Sequence, residues 1–232
     1  YSILYQKVKI NEIIILDDNS SDNSKILIDK ICNDLGKYIN IKKCFNDKNS
    51  GSAFKQWEKG FNLAISDYVW IAEADDYCSN DFLKELIKPI KNNRNIVISY
   101  SDTSFIDTVG NVIIKTIKPE IDIMKTGHWD SDFINDGKKE FKNYTFLNCT
   151  IANVSSAIIK KGDYSNYFKL SRNYKQAGDW LFYANIMHEG DIAYKNKQLN
   201  YYRVHGSNVS SVTKKDAHLK EIMSIHSYFE NK

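Results

Sequence analysis

Two short apolar runs near the start of the chain each end in a cluster of acidic residues. Residues 13–16 (Ile-Ile-Ile-Leu) precede the acidic pair at 17–18, and residues 68–72 (Tyr-Val-Trp-Ile-Ala) precede the acidic cluster at 73–76. Continuous runs of β-branched and aromatic residues are typical of strands buried on both faces of a parallel sheet. The pattern therefore predicts that both clusters lie at the carboxyl ends of parallel strands, where open α/β sheets bind ligands.

Strands and helices are predicted to alternate through the first half of the chain. Apolar residues at helical spacing, separated by polar turns, define the helices. The predicted elements are a strand at 13–17, a helix at 21–36, a strand at 39–45, a helix at 52–65, a strand at 68–72, a helix at 80–91 and a strand at 96–100. A hairpin turn is expected at 109–111. This alternation predicts an α/β fold with a doubly wound, mostly parallel sheet flanked by helices.

The second half of the chain has a less regular pattern. Residues 119–150 are predicted to form a long loop, and loops of this length are often functional or mobile. The remaining elements are a strand at 154–160, a helix that begins near Gly178 and ends at Gly190, strands at 191–195 and 198–204, and a helix at 214–231. Without a repeat or a linker in the sequence, a single domain over residues 1–232 is the simplest interpretation.

Composition excludes several classes of protein. The chain has 232 residues, of which 42% are hydrophobic and 26% are charged, as in ordinary globular proteins. The net charge of +3 is too small to argue for nucleic-acid binding. No apolar run approaches the roughly 18 residues that suggest a membrane-spanning helix. The four cysteines lack CxxC spacing and are interpreted as reduced thiols of a cytoplasmic protein.

Carboxylates that converge at one edge of a sheet repel one another unless a cation joins them. Hard cations such as Mg²⁺ and Mn²⁺ prefer oxygen ligands and often bridge to substrate phosphates. A divalent metal at the 73–76 cluster is therefore expected. The acidic pair at 17–18 has a second interpretation, in which it caps the following helix and interacts with its dipole.

Four strings of the sequence, in order, resemble the inverting glycosyltransferases of family two, which have the GT-A fold. They are IIILDDNSSDNS, GSAFKQWEKGFNLAISDYVWIAEADDY, QAGDWLFYANIMHEGDIAY and YYRVHGSNVS. The resemblance is collinear and covers nearly the whole chain. It implies a nucleotide-binding half at 1–100, an acceptor-binding half at 101–213 and a C-terminal helix at 214–232. Because the family opens with a strand that this chain lacks, the resemblance also implies more protein upstream of Tyr1.

The resemblance implies roles for the acidic residues. Asp76 is expected to bind the metal directly, and Asp75 to bind either the metal or the ribose. Glu73 stands where the family often has Asp and is a further candidate metal ligand. Asp18, with Asp17 as its neighbour, resembles the aspartate that contacts the base or ribose.

Further candidates follow from the other strings. Asp179, in Gly178-Asp179-Trp180, resembles the catalytic base, although a helix-capping Asp would have the same sequence. His205 is a candidate for completing the metal site or binding the diphosphate, and Arg203 for binding phosphate oxygens. Lys55 and Gln56 are candidates for contacting the nucleotide, and an exposed helix face would explain them equally well.

The 119–150 loop supplies the candidate on the acceptor side. Trp129 lies in this loop among Asp and His residues, and an indole there would stack on the acceptor sugar. The loop is expected to act as a lid that orders when a ligand binds.

Together these features predict an enzyme that transfers a sugar from a nucleotide-diphosphate sugar, expected to be UDP-linked, to a glycan or lipid-linked acceptor. The resemblance further implies a role in bacterial surface polysaccharide synthesis, in the cytoplasm or peripherally at the inner face of the cytoplasmic membrane. Two alternatives stay open. One is a non-catalytic nucleotide-sugar-binding module. The other is a receiver-like phosphoacceptor domain, which is much shorter and leaves Gly178-Asp179-Trp180 unexplained.

Overall fold

Two groups of strands form the framework of the structure, a computed structural model that describes residues 2–206 and 215–231. In the first group, β1 (Glu12–Asp17) and β2 (Asn40–Phe45) pair in parallel. The second is a seven-stranded sheet. Its strands are β3 (Tyr68–Trp70), β4 (Tyr77–Cys78), β5 (Ile96–Ile106), β6 (Val112–Ile114), β7 (Phe133–Asp136), β8 (Ala157–Lys160) and β9 (Asp191–Arg203). Five of them follow the spatial order β3-β8-β5-β9-β4, while β6 pairs with β5 and β7 with β9.

The direction of the strands decides where the functional residues meet. β5 and β9 pair in parallel, whereas β8 lies antiparallel between β3 and β5. Strands β3, β5 and β9 therefore all point the same way, and their carboxyl ends share one edge of the sheet. The prediction of an α/β fold is confirmed. In the seven-stranded sheet β5 and β9 are a parallel pair, whereas β4, β6, β7 and β8 each pair antiparallel with their neighbours.

Eight helices are described besides short 3-10 and π turns. They are α1 (Ser24–Leu35), α2 (Ala53–Leu63), α3 (Phe82–Asn92), α4 (Lys118–Ile121), α5 (Gly137–Glu140), α6 (Ser165–Ser171), α7 (Gly178–Ile186) and α8 (Lys215–Glu230). Within residues 2–206 and 215–231, none of these helices has the length and apolarity that a membrane crossing requires.

Helix α7 is the centre of the larger core. Every residue from Trp180 to Ile186 is buried, which agrees with the apolar sequence on all sides of this helix. Phe182 stacks on Phe168 of α6 with ring centroids 4.5 Å apart. On another side, α8 packs Ile225 against α7. The helix that begins with Asp179 is thus fixed by neighbours from several parts of the chain.

The prediction of one long loop at 119–150 is wrong. The segment contains part of α4, a 3-10 turn at His128–Asp130, β7, α5 and a π turn at Phe141–Thr145. Strand β7 adds an edge to the sheet through Phe133, whose ring stacks on Tyr194 of β9 at 5.2 Å. Because each element has only three to five residues, hydrophobic periodicity could not reveal it.

The two strands predicted at 191–195 and 198–204 form one continuous strand, β9. Its register against β5 shifts around Ser101 and Asp102, which accommodates the polar residues 196–197 that suggested a break.

Candidate functional site

The acidic cluster predicted at 73–76 lies at the carboxyl end of β3. Glu73, Asp75 and Asp76 each offer a carboxylate oxygen, and these oxygens lie within 4.8 Å of one another. The backbone N–H of Glu73 donates to the hydroxyl of Ser155 (3.0 Å), in the 3-10 turn that precedes β8. The indole N–H of Trp70 donates to the carbonyl of the same serine (2.8 Å). The turn before β8 therefore fixes the position of Glu73, the first residue of the cluster.

Asp76 is held by the end of β9 and by the residue that precedes the 3-10 turn before β8. Its Oδ1 accepts the backbone N–H of Arg203 at the end of β9 (3.0 Å), and its Oδ2 accepts the side-chain amide of Asn153 (3.0 Å). Asn153 is itself buried, and its Oδ1 accepts from Asn200 of β9 (2.9 Å). The orientation of the Asp76 carboxylate is therefore fixed by a network of buried amides rather than by neighbouring sequence.

His205 and Arg203 reach the cluster from the end of β9. Nε2 of His205 lies 2.9 Å from Oδ2 of Asp75. The guanidinium of Arg203 donates to the backbone carbonyls of Asp75 (2.8 Å), Asp107 (2.8 Å) and Thr108 (3.0 Å). Arg203 thus ties the cluster to the β5–β6 hairpin, and its predicted contact with phosphate stays a prediction.

The carboxylates of the cluster are electrostatically strained. Burial, followed by repulsion from Asp76, Asp75 and Asp179, raises the pKa of Glu73 to about 7. Burial also raises the pKa of Asp76, although the N–H of Arg203 and the amide of Asn153 oppose the shift. A cation would relieve this repulsion, and three convergent carboxylates match the oxygen preference of Mg²⁺ or Mn²⁺. The residues present therefore fit a divalent metal.

Asp17 and Asp18, at the end of β1, are in different environments. The carboxylate of Asp17 is buried and accepts the backbone N–H of Ser20 (3.1 Å). The carboxylate of Asp18 accepts the backbone N–H (2.9 Å) and hydroxyl (2.7 Å) of Ser50 and the side-chain amide of Asn46 (2.7 Å). Burial alone would raise the pKa of Asp18, but these hydrogen bonds outweigh burial and lower it.

Neither aspartate caps a helix. The N-cap residue of α1 is Asn23, and α1 begins at Ser24. The capping interpretation of the pair at 17–18 is therefore wrong. Asp18 instead organises the 46–51 loop.

Gln56 and Lys55, at the start of α2, both contact this loop. The side-chain amide of Gln56 donates to Oδ1 of Asp18 (2.9 Å), and Lys55 donates to the carbonyl of Ser50 (3.0 Å). The side-chain oxygen of Gln56 is buried with no hydrogen-bond partner in the described part of the chain. Gln56 lines the cavity described below, whereas Lys55 does not. Their contact with a nucleotide stays a prediction.

Asp179 lies in the first turn of α7. The N-cap position belongs to Ala177, so the alternative of a capping Asp is also wrong. Burial raises the pKa of Asp179 to about 6, although the N–H of Trp180 opposes the shift. Gly178 permits the close approach of this turn to α2, because a Cβ there would lie 2.5 Å from the ring of Phe54 and 2.6 Å from the carbonyl of Ser171.

One cavity of about 1850 Å³ brings most of the predicted residues together. It exceeds the roughly 300–1,000 Å³ of ordinary ligand sites because it extends into the space between β1 and β3. The predicted residues that line it are Asp17, Gln56, Glu73, Asp75, Asp76, Asp179 and His205. Asp18, Lys55, Arg203 and Trp129 lie outside its lining.

The prediction that Trp129 stacks on an acceptor sugar is contradicted by its burial. Only 1% of Trp129 is exposed, and its indole N–H donates to the hydroxyl of Tyr100 (2.9 Å) inside the core. Its ring also packs edge-on against Tyr144, with centroids 5.2 Å apart. Trp129 is therefore a core residue, and the lid predicted around it loses its structural basis.

Sequence reasoning missed several residues at the site. Asn153 orients Asp76, Ser155 holds Glu73, and Arg172, Lys175 and Gln176 line the cavity beside Asp179. The signal available was a polar stretch directly before an apolar strand, at 153–156, which resembles the position of the two acidic clusters. Residues 207–210 of the fourth string lie outside the described residues.

Comparisons with known proteins relate the chain to glycosyltransferases. A family model described as Glycosyl transferase family 2 matches residues 1–168. An uncharacterized glycosyltransferase of Methanocaldococcus jannaschii is 30% identical over 162 residues, which are 70% of this chain and 51% of that protein. An uncharacterized glycosyltransferase of Haemophilus influenzae is 30% identical over 124 residues, 53% of this chain and 48% of that protein. The chain thus spans about half the length of these relatives.

Solved structures share the fold. S. aureus TarS 1–349 in complex with UDP-GlcNAc aligns with a TM-score of 0.71 at 17% identity, over 98% of this chain and 60% of that chain. The same protein in complex with UDP aligns with a TM-score of 0.66 at 16% identity, over 98% of this chain and 59% of that chain. The similarity concerns the fold, and it confirms the expected GT-A architecture.

Proposed function

The chain belongs to glycosyl transferase family 2, and we propose that it transfers a sugar from a UDP-sugar to a hydroxyl group of a glycan or lipid-linked acceptor, with inversion at the anomeric carbon. One observation carries the proposal: Asp179 and the Glu73–Asp76 cluster line the same cavity, and the charge of Asp179 contributes to the raised pKa of Glu73. Family membership argues against the receiver-like alternative.

The donor half of the proposal rests on the acidic cluster. Asp76, Asp75 and Glu73 would hold a divalent cation, Mn²⁺ or Mg²⁺, which supplies positive charge to the leaving diphosphate when bound. His205, at hydrogen-bond distance from Asp75, keeps that carboxylate oriented. The fold shared with TarS, solved with UDP-GlcNAc and with UDP, favours a UDP-linked donor.

The acceptor half rests on Asp179. An inverting displacement needs the acceptor hydroxyl to lose its proton as it attacks the face opposite the leaving group. A carboxylate with a pKa of about 6 is mostly ionised at neutral pH and is a stronger base than an ordinary aspartate. Asp179 is thus the group that accepts the proton. The role in bacterial surface polysaccharide, the lipid-linked acceptor and the location at the cytoplasmic membrane face are proposed from the family resemblance alone.

The experiment compares Asp179→Asn with the wild type. Hydrolysis of UDP-GlcNAc is measured at saturating donor with Mn²⁺, since water replaces the unidentified acceptor. Turnover should fall by about 10²–10⁴-fold, which corresponds to roughly 3–5 kcal/mol of transition-state stabilisation. UDP affinity should change little, because the variant keeps the shape of the side chain.

A matched control is Asp216→Asn, which alters an exposed acid in the first turn of α8 and should leave turnover unchanged. An Asp179→Asn enzyme that retains more than about a tenth of wild-type turnover would exclude Asp179 as the base. A wild-type protein that binds UDP but hydrolyses the donor no faster than background would support the alternative of a non-catalytic binding module.

A further inference from the structure

A carboxylate of the C-terminal helix contacts the turn that leads into α7. Glu221 of α8 accepts three backbone N–H groups through its two carboxylate oxygens. The donors are Lys175 (2.8 Å), Gln176 (3.0 Å) and Ala177 (2.9 Å). Three consecutive amides on one carboxylate form an anion-binding turn, and the anion comes from a residue 45 positions downstream of Gln176.

One of these three N–H groups, that of Ala177, stands at the start of α7, and the other two belong to the turn before the helix. The first N–H groups of a helix have no partner within the helix and usually need a side-chain cap. The N-cap residue of α7 is Ala177, whose side chain has no acceptor. Glu221 therefore fixes the turn that leads into α7 and satisfies the N–H of the N-cap residue. Its negative charge is favourable near a helix N-terminus.

The turn held by Glu221 is also a wall of the candidate site. Lys175 and Gln176 line the cavity, and Asp179 follows two residues after Ala177. On its other side the turn is confined by α2, because Gly178 has no room for a Cβ against Phe54. The position of Asp179 is thus set between α2 and α8.

We propose that Glu221 is a positioning residue that fixes the 175–177 turn and thereby aims Asp179 at the acceptor hydroxyl. The inference rests on the proposed function, in which Asp179 is the base. It adds that the C-terminal helix is part of the catalytic architecture, although α8 lies outside residues 1–168 that the family model matches.

The charge of Glu221 also supports its proposed role as a positioning residue. Burial alone would raise the pKa of Glu221, but its three backbone hydrogen bonds outweigh burial and lower it, so Glu221 is ionised at neutral pH. The charge of Glu221 acts on the pKa of Asp179. The charge of Asp179 in turn contributes to the raised pKa values of Glu73, Cys149 and Tyr183. After burial, the charge of Glu221 contributes to the raised pKa of Asp179 and so favours its basicity.

The test compares Glu221→Ala and Glu221→Gln with Tyr228→Phe. Tyr228 of α8 donates to Oδ1 of Asn185 of α7 (3.1 Å), so its variant weakens the same helix contact while Glu221 and its three N–H donors stay in place. In Glu221→Ala, turnover of UDP-GlcNAc hydrolysis should fall on the order of 10- to 100-fold, because small misplacements of a catalytic group have effects of that size. UDP affinity should stay within about two-fold, since the donor half of the site is untouched.

Glu221→Gln keeps one acceptor oxygen and should therefore have a higher turnover than Glu221→Ala. It replaces Glu221→Ala in the measurement if that variant does not fold. Amide hydrogen exchange at residues 175–177 should accelerate in both Glu221 variants and stay unchanged in Tyr228→Phe. The proposal is overturned if Glu221→Ala keeps wild-type turnover, or if Tyr228→Phe loses as much.

Failure of the proposed function is recognisable separately, as a wild-type protein that neither binds UDP nor hydrolyses the donor. In that case, amide exchange at 175–177 tests whether Glu221 fixes the turn. Faster exchange in Glu221→Gln with unchanged exchange in Tyr228→Phe supports this contact, and unchanged exchange in both variants rejects it.

Discussion

Oδ2 of Asp75 lies 2.9 Å from Nε2 of His205, although 130 positions separate the two residues in the chain. The contact exists because β3 and β9 end at the same edge of the sheet. If His205 binds the metal or orients Asp75 toward it, His205→Ala should weaken Mn²⁺ binding by about 10- to 100-fold. Calorimetric titration with MnCl₂ measures this, and an affinity equal to that of the wild type would remove His205 from the metal site.

Asp76 is expected to be required for metal-dependent UDP binding. The carboxylate is oriented by Arg203 and Asn153, so Asp76→Ala removes the best-fixed ligand of the cluster. The loss of several kcal/mol of metal–diphosphate interaction predicts a fall of about 100-fold or more in UDP affinity with Mn²⁺. Asp132→Ala, which removes an exposed acid that pairs with Lys195, is the control. Equal UDP affinity in EDTA and in Mn²⁺ would contradict the prediction.

The rate of transfer should depend on the ionisation of Asp179. Burial raises its pKa to about 6, and only the ionised form can accept a proton. Turnover at saturating donor and Mn²⁺ should therefore rise about tenfold per pH unit below pH 6 and level off above it. The acid limb should disappear in Asp179→Asn, whose residual rate should be independent of pH in this range. A wild-type profile that is flat between pH 5 and 7 would argue against Asp179.

The raised pKa of Asp179 also predicts that the folded protein is less stable when Asp179 is ionised. Because the folded pKa of Asp179 is raised above its unfolded value of about 3.8, the wild type loses stability as pH rises from about 4 to about 6. Asp179→Asn does not have this loss. It should therefore unfold at a higher temperature than the wild type at pH 8, with the difference vanishing near pH 3.5. Calorimetric melting curves of both proteins at pH 8 and pH 3.5 test this prediction. An Asp179→Asn variant less stable than the wild type at pH 8 would contradict the burial of a charged Asp179.

Trp129 should affect stability rather than recognition. Since its ring is 1% exposed and its indole N–H bonds to Tyr100, Trp129→Ala should lower the free energy of unfolding by about 3–5 kcal/mol. At temperatures where the variant is folded, UDP affinity should match the wild type. A normal melting temperature combined with a weakened acceptor interaction would restore the stacking role.

Local patterns were sufficient to predict the framework of the site. An apolar run followed by carboxylates identifies a strand end, and the acidic cluster at 73–76 and Asp179 both lie where the sequence indicated. Such signals are readable because they involve residues adjacent in the chain. Side-chain burial was less predictable: Ile26 and Leu27, two apolar residues of α1, are 70% and 56% exposed.

Only the tertiary structure decided which polar residues cooperate. Nothing local distinguishes Glu221 from any exposed helical glutamate, or Asn153 from any loop asparagine, because their partners lie 44–46 and 77 positions away. Trp129 was misjudged for the same reason, since its burial depends on Tyr100 and Tyr144 and not on its polar neighbours in sequence. The sequence determined which chemical groups stand at the strand and helix ends, whereas long-range packing determined their orientation, their pKa values and which of them face one cavity.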